Sequence, residues 1–176
     1  YFDVQGTYHS NSDALTDNHV MHQFDVESDS LKPLLDSIQP NYIISSLRGD
    51  FKAQYSIHQE IISYIKSVEH CKLYFLSSVN VFDGKSRFPS YENDHLMPES
   101  SYGKFKASIE RAIRTLSPNQ YTILRLPLVL GVNSPRMNHL RYCHQHKEAF
   151  EVFPNLIISI TTVYKIAQQI HYLINK

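Results

Sequence analysis

A tyrosine and a lysine four residues apart, Tyr102 and Lys106 in the stretch SYGKFK, could together perform acid–base chemistry. Residues at positions i and i+4 of an α-helix lie on the same side of it. An unperturbed tyrosine has a pKa near ~10, and moving that pKa to about 7 requires roughly 4 kcal/mol. One cation about 4 Å away, at an effective dielectric constant of ~20, supplies on the order of 4 kcal/mol before desolvation. The spacing therefore predicts a tyrosine made acidic by its lysine.

Two serines, Ser77 and Ser78, end an apolar run that precedes this tyrosine. A hydroxyl at the end of a strand can hydrogen-bond the oxygen of a substrate. The Y-x-x-x-K spacing also arises by chance on surface helices, and paired serines at strand ends are common. The order of the segments is more informative: an apolar strand, two serines, a long loop, a capped helix and another apolar strand.

The elements that must position these residues alternate between strand and helix. Apolar runs predict strands over 1–8, 41–47, 72–78, 121–130 (stopped by Pro127) and 155–161. Apolar residues at helical spacing predict four helices. Two of them cover 30–38 and 53–69, and a third begins after a cap at Ser100 or Ser101. The last helix begins at Thr162, and its predicted inward residues are Val163, Ile166, Ala167, Ile170 and Leu173. This alternation implies parallel strands and right-handed crossovers. The predicted fold is a doubly wound parallel α/β sheet.

Ligands of such sheets bind at the carboxyl ends of the strands. The residues to expect there are 8–10, 45–48, 77–80 and 127–128. The long stretch 80–100, between the serines and the helix with the tyrosine, is the kind of loop that usually has a function.

Charge and composition exclude several kinds of partner. Lys+Arg is 17 and Asp+Glu is 17, so the clustered basic charge that nucleic acids and anionic membranes require is not indicated. No apolar run approaches the roughly 20 residues of a membrane span, and no signal peptide is recognised. Cys71 and Cys143 form no C-x-x-C pair. We expect reduced thiols and a cytoplasmic protein.

A cluster of potential metal ligands occurs in HLRYCHQHK (139–147), namely His139, Cys143, His144 and His146. Zinc sites use such residues, but a second ligand pair with standard spacing is missing. The stretch is better explained as a polar amphipathic helix, so we expect no metal.

Several stretches, in order, resemble the extended short-chain dehydrogenase/reductase family, most closely its dTDP-4-dehydrorhamnose reductase group. They are FDV (24–26), PNYIISS (40–46), LSSVNVFDG (76–84), PSYENDHLMPESSYGKFKASIE (89–110) and LRLPLVLG (124–131). The family has similar S-T-x-x-V-F-D-G, P-Y-x-E-x-D and Y-G-x-x-K stretches in this order. The resemblance implies a Rossmann-like NAD(P)-binding fold and covers residues 2–131, continuing weakly to the last helix.

The resemblance implies catalytic roles for three residues. Ser78 stands where the family has its catalytic threonine or serine, Tyr102 matches the catalytic tyrosine, and Lys106 matches its partner lysine. Asn80 and Arg136 are the expected substrate contacts, because Asn80 lies in the matched loop and Arg136 could reach a substrate phosphate.

The resemblance also implies a set of cofactor contacts. Asp25 and Val26 match the pair beside the adenine, and Pro127 and Leu128 match the segment near the nicotinamide. The strand end that lines the cofactor corresponds to Ser45, Ser46 and Leu47. The residues after the family's second strand are His9 and Ser10. An acidic residue at this point would favour NAD. Because none is present, the sequence slightly favours NADP, or no strong preference between the two cofactors.

The sequence departs from the family in its glycines. None of the five glycines forms the G-x-x-G-x-x-G turn that holds the pyrophosphate. The segment 1–10 resembles the family's second strand, so we expect about thirty residues of the family pattern to be missing before Tyr1. We expect residues 1–176 to be a single Rossmann-like domain, incomplete at the N-terminus, in which residues 132–160 form a reduced substrate lobe.

By resemblance, the expected activity is NAD(P)-dependent reduction of a nucleotide-activated keto-sugar, a small-molecule substrate. A non-catalytic dinucleotide-binding regulatory or scaffold protein remains an alternative, as does a sugar-nucleotide epimerase or dehydratase. A homodimer is a further expectation.

Overall fold

The computed structural model describes residues 2–10, 18–86, 89–132, 134–152 and 157–176. Most of the loop before Asn18, and the first two residues of the strand predicted over 155–161, lie outside these ranges. The chain divides into two compact units, Tyr1–Leu124 and Arg125–Lys176, which are described separately. The prediction of a single domain with a substrate lobe at 132–160 stays a prediction.

The first unit contains short parallel sheets. Strand β1 (Gly6–Tyr8) pairs in parallel with β2 (Met21–Gln23), and Gly6 lies opposite Met21. Strand β3 (Tyr42–Ser45) pairs in parallel with β4 (Lys72–Ser78), and β5 (Tyr121–Leu126) completes a three-stranded sheet in the order β3-β4-β5. The strand predicted over 1–8 is therefore shorter than expected, and β2 is an additional strand.

Three helices accompany these strands: α1 (Lys32–Ile38), α2 (Phe51–Ser67) and α3 (Ser101–Ile113). Asp50 caps α2 by accepting hydrogen bonds from the backbone of Lys52 and Ala53, and Ser100 caps α3 through the Gly103 N–H. The predicted apolar stripes of these helices pack with β4 to form the core of the unit. The buried residues of this core include Ile57, Ile61, Ile65, Leu73, Phe75, Ile109 and Ile113.

Helix α1 is capped by a side chain from α2 rather than by its own. Its N-cap residue, Leu31, makes no side-chain cap hydrogen bond. The Glu60 carboxylate instead accepts from Ser30 Oγ at 2.8 Å, from Leu31 N at 2.8 Å and from Lys32 N at 3.0 Å. A negative charge at a helix N-terminus is also favourable to the helix dipole. Glu60 thus fixes α1 against α2.

The second unit has its own parallel pair, in which β6 (Leu128–Leu130) lies beside β7 (Ile160–Thr162). Its helices are α4 (Pro135–His146) and α5 (Val163–Ile174). The strand predicted over 121–130 ends before Pro127, the residue expected to stop it, because proline has no N–H for a continuous ladder; the residues after it form a separate strand, β6.

The predicted inward face of α5 is partly wrong. Ile166 and Ile170 are buried, but Val163 is 66% exposed and Ala167 is also exposed. The buried stripe is therefore restricted to two residues one turn apart.

No helix among the described residues is long and apolar enough to cross a membrane.

Candidate active site

The site is built first at the carboxyl end of β4. This strand ends at Ser78 and continues into a short 3₁₀ turn (Val79–Phe82). Ser78 Oγ accepts from the Asn80 N–H at 3.2 Å and donates to Asn80 Oδ1 at 2.8 Å. Ser78 is buried, and so is its neighbour Ser77. The predicted catalytic serine and the predicted substrate residue Asn80 therefore form one hydrogen-bonded pair.

The long loop after this turn folds back, so that α3 begins near the carboxyl end of β4. Gly84 N donates to the Met97 carbonyl at 2.8 Å, and Met97 N donates to the Val81 carbonyl at 2.9 Å. The Asp83 carboxylate accepts hydrogen bonds from the Ser100 side chain and from the backbone N–H groups of Glu99 and Ser100. Burial raises the pKa of Asp83, but these hydrogen bonds prevail and hold it below its usual value. The cap of α3 is thereby tied to the end of β4.

Gly103 allows the first turn of α3 to touch the 3₁₀ turn. A Cβ placed on Gly103 would lie 2.2 Å from the Asn80 carbonyl oxygen and 3.0 Å from its carbon. Backbone atoms cannot rotate away as a side chain can. The glycine of the Y-G-x-x-K stretch is therefore required by this contact, which holds the first turn of α3 against the backbone of Asn80.

Substituting Gly103 by alanine is expected to lower the free energy of unfolding by about 1–3 kcal/mol, as overpacking does. In an unobstructed helix the same change would stabilise by roughly 1 kcal/mol, so the sign is diagnostic. Gly131→Ala is the matched control, because nothing lies within 4 Å of its added Cβ. Urea unfolding of both variants measures the difference. Equal stabilities would contradict the proposed contact.

Lys106 lies in the interior and points to the end of β4. Its Nζ donates to the Leu76 carbonyl at 3.0 Å and lies 5.8 Å from the centroid of the Tyr102 ring. It also lies 4.8 Å from the centroid of the Phe75 ring. Burial lowers the pKa of Lys106 to about 8, and the Glu110 carboxylate opposes this change. Lys106 and Tyr102 are thus on the same side of α3, as their spacing predicts.

Tyr102 is 42% exposed and packs against other aromatic rings. Its ring centroid lies 6.2 Å from that of Phe51 and 6.5 Å from that of Phe105. Burial raises the pKa of Tyr102, while the nearby Arg48 charge acts in the opposite direction. The sequence analysis expected a lowered pKa, so the direction is reversed in this structure. The reason is that burial disfavours the phenolate, while the Lys106 ammonium is directed to the Leu76 carbonyl.

The predicted cofactor residues at the ends of β1 and β2 lie together. His9 Nε2 and Asp25 Oδ2 are 3.8 Å apart, and both side chains are exposed. A hydrogen bond from the Glu27 N–H lowers the pKa of Asp25. Ser10, the next predicted contact, is exposed, whereas Val26 packs against the core of the first unit.

The ends of β2 and β3 also approach each other. Gly49 adopts a φ of +126°, which is costly for residues with a Cβ, and its nearest neighbours include Val26. The backbone N–H of Asp50 donates to Glu27 Oε1 at 3.4 Å. The polar residues after β1, β2 and β3 therefore line one region, as the parallel topology predicts.

The cofactor contacts predicted at the end of β3 are Ser45, Ser46 and Leu47. The side chain of Ser45 is buried and hydrogen-bonded within the core. Its Oγ lies 2.9 Å from Nε2 of the buried His58, whose Nδ1 lies 2.6 Å from the Gln54 carbonyl. Ser46 is exposed and Leu47 is half-buried. All three line a pocket of about 350 Å³ whose other walls come from β1, β2 and α1.

Three predicted residues belong to the second unit. Pro127 separates β5 from β6, and Leu128 lies opposite Ile160 in the β6–β7 pair. Arg136 is exposed in the first turn of α4, which Ser134 caps. The roles of all three residues stay predictions.

The described residues contain no group of three or more His, Cys, Asp or Glu side chains arranged to hold a metal. In α4, His146 Nδ1 lies 2.9 Å from the Tyr142 carbonyl and its ring stacks on the Tyr142 ring. Cys143 is buried, and both cysteines are free thiols.

The sequence analysis missed the buried polar residues behind the site. Glu110 is 0% exposed and accepts a hydrogen bond from Ser77, and His58 bonds Ser45. A signal for both was present, because each is a polar residue adjacent to the apolar stripe of its helix. Arg48 falls within the range 45–48 that was expected at the carboxyl ends of the strands, but without an assigned role.

Comparison with known families agrees with this arrangement. Residues 50–176 match the RmlD substrate binding domain family. The chain belongs to this family. No curated protein sequence matches the chain significantly.

Solved structures with the same fold include three sugar-nucleotide enzymes. A dTDP-4-dehydrorhamnose reductase from Clostridium acetobutylicum superposes with a TM-score of 0.71 at 17% identity, over 99% of this chain and 70% of that one. A dTDP-glucose 4,6-dehydratase from Bacillus anthracis, in complex with NAD, superposes with a TM-score of 0.72 at 14% identity, over 93% of this chain and 57% of that one. A UDP-glucuronic acid 4-epimerase from Bacillus cereus, also in complex with NAD, superposes with a TM-score of 0.72 at 18% identity, over 94% of this chain and 59% of that one.

These neighbours establish the fold. The predicted Rossmann-like, doubly wound parallel α/β fold and the resemblance to extended short-chain dehydrogenase/reductases are confirmed. The chain spans 57% to 70% of the length of the three neighbours.

Proposed function

We propose that this chain forms part of an NAD(P)-dependent reductase that acts on a nucleotide-activated keto-sugar. The observation that supports it most is that Lys106 Nζ donates to the Leu76 carbonyl near the end of β4 and lies 5.8 Å from the centroid of the Tyr102 ring, in a chain of the RmlD substrate binding domain family. The site residues come from a strand end and the first turns of a helix, which are rigid elements suited to hold reacting groups.

In this reaction a bound nicotinamide supplies the hydride that reduces the sugar carbonyl carbon. The Tyr102 hydroxyl donates its proton to the carbonyl oxygen, which completes the new alcohol. Ser78 Oγ exchanges its bond to Asn80 for one to the same oxygen. Lys106 and Arg48 are the cations that stabilise the resulting phenolate.

The raised pKa of Tyr102 is compatible with a role as proton donor. A tyrosine whose pKa lies above its usual value keeps its proton at neutral pH, as a proton donor requires.

The residues of the first unit fit a dinucleotide in part. Asp25 and His9 offer polar side chains after β1 and β2, and Ser46 and Leu47 line the pocket beside β3. Asp25 could accept hydrogen bonds from the ribose hydroxyls of the adenosine. The 176 residues contain no glycine-rich turn for the pyrophosphate. Either NADP or NAD is compatible with these groups.

A cytoplasmic location, a homodimer and a partner set without nucleic acid or membrane stay predictions. The alternatives to reduction are epimerase or dehydratase chemistry, which neighbours of the same fold perform, and dinucleotide binding without catalysis.

The test is a fluorescence titration of NADPH and of NADH into the full chain, with and without a dTDP-activated keto-sugar. We expect saturable binding of at least one dinucleotide, followed by its oxidation once the sugar nucleotide is added. Binding without net oxidation would contradict reduction and would favour either epimerase or dehydratase chemistry or binding without catalysis. No binding of either dinucleotide would contradict all three possibilities.

A further inference from the structure

A buried carboxylate lies directly behind the predicted catalytic residues. Glu110 is 0% exposed and follows Lys106 by one turn of α3. Its Oε1 accepts a hydrogen bond from Ser77 Oγ at 2.6 Å. Ser77 stands between Leu76, whose carbonyl accepts from Lys106, and Ser78. Glu110 and Lys106 therefore attach α3 to two consecutive residues of β4, Ser77 and Leu76.

Two ionisable groups buried this deeply need compensation. Taking a single charge out of water is costly, and an opposite charge close by reduces that cost. The Ser77 hydroxyl donates a hydrogen bond to Glu110 and holds its side chain in place. The Leu76 carbonyl is a dipole and not a charge, so it compensates the Lys106 ammonium only partly.

We propose that Glu110 is a positioning residue that keeps the Lys106 side chain charged and directed towards the end of β4. Glu110 acts through Lys106 and need not touch substrate or cofactor. Its value for catalysis rests on the proposed function, whereas its effect on the charge of Lys106 does not.

The other groups around Lys106 cannot replace this carboxylate. On α2, His58 lies close enough to interact with the Lys106 charge, and burial lowers the pKa of His58 to about 4, so it is neutral near pH 7. Tyr102 of α3 keeps its proton, because burial raises its pKa. Phe75 of β4 presents an aromatic ring, and Arg48, which acts on Tyr102, is a further cation. At neutral pH the opposite charge that acts on Lys106 is that of Glu110.

The test uses Glu110→Gln, which keeps the shape of the side chain and an oxygen that can accept from Ser77. The pKa of Lys106 is measured by NMR with lysine isotope-labelled at Cε, and its signal is assigned with Lys106→Arg. Removing the carboxylate charge is expected to lower the pKa of Lys106 by roughly one unit or more. The alkaline limb of the turnover–pH profile should move to lower pH by the same amount.

Ser77→Ala is the matched control, because it removes the hydrogen bond but keeps the carboxylate. We expect it to shift the pKa of Lys106 by much less than Glu110→Gln does, and Glu110→Asp to restore most of the lost shift. An unchanged pKa in Glu110→Gln would overturn the proposal. If the wild-type chain shows no turnover, the proposed function fails, while the NMR result still decides the role of Glu110.

A reciprocal measurement covers the case in which Glu110→Gln does not fold. Two coupled groups shift each other equally, so Lys106→Met must raise the pKa of Glu110 by the same amount. Carboxyl NMR of a chain labelled at glutamate Cδ measures this shift. A pKa of Glu110 that is the same with and without the Lys106 charge would also overturn the proposal.

Discussion

The Tyr102→Phe variant of the full chain is expected to reduce the keto-sugar about 10²–10⁴-fold more slowly than the wild type, because general acid catalysis contributes that much. Phenylalanine keeps the ring that packs against Phe51 and Phe105, so the fold of the first turn of α3 is preserved. It removes the hydroxyl that donates the proton. NADPH affinity should change little, and the loss should appear in kcat and in kcat/KM alike.

Tyr55→Phe is the control for this experiment. Tyr55 is 38% exposed, close to the 42% of Tyr102, but it lies on α2. We expect this variant to retain wild-type turnover. If Tyr102→Phe also retained wild-type turnover, Tyr102 would not be the proton donor.

The second large effect concerns stability in acid. Between pH 6.5 and pH 4 the chain is expected to lose about 3 kcal/mol of unfolding free energy through His58 alone. His58 is buried, and its Nδ1–H is best placed to donate to the Gln54 carbonyl while Nε2 accepts from Ser45. Burial lowers its pKa from 6.5 to about 4. In this window the unfolded chain binds a proton that the folded chain does not, so lowering the pH favours unfolding.

Urea unfolding at several pH values measures this loss. In His58→Gln the slope of stability against pH should become flatter between pH 6.5 and pH 4, although stability at neutral pH falls because a core side chain has changed. His19→Gln, which alters an exposed histidine, should keep the wild-type slope. The carboxyl of Asp83 titrates below its usual value of 3.8 and does not contribute in this window. A slope that is unchanged in His58→Gln would contradict the assignment.

Local features of the fold were predictable because neighbouring residues decide them. Ser100 caps α3, Pro33 lies in the first turn of α1, and the stripe from Ile57 to Ile65 is buried, all as the spacing indicated. The catalytic roles that the resemblance implies for Ser78, Tyr102 and Lys106 stay predictions.

Contacts between distant parts of the chain were not predictable from these patterns. The cap of α1 comes from Glu60 on another helix, and the need for glycine at position 103 comes from the Asn80 carbonyl. The pKa of Tyr102 was predicted in the wrong direction for the same reason. The spacing places Lys106 on the correct side of α3, but burial and the Leu76 carbonyl decide where the ammonium points and how strongly it acts.

The central claim is that the carboxyl end of β4 and the first turns of α3 form a site of hydride transfer to a sugar carbonyl. The most direct measurement supplies the full chain with NADPH deuterated at the transferring carbon and with a dTDP-activated keto-sugar, and determines the mass of the product. We expect a reduced sugar nucleotide that carries one deuterium. A converted sugar without deuterium, or recovery of the unchanged keto-sugar from chain that has bound NADPH, would contradict it.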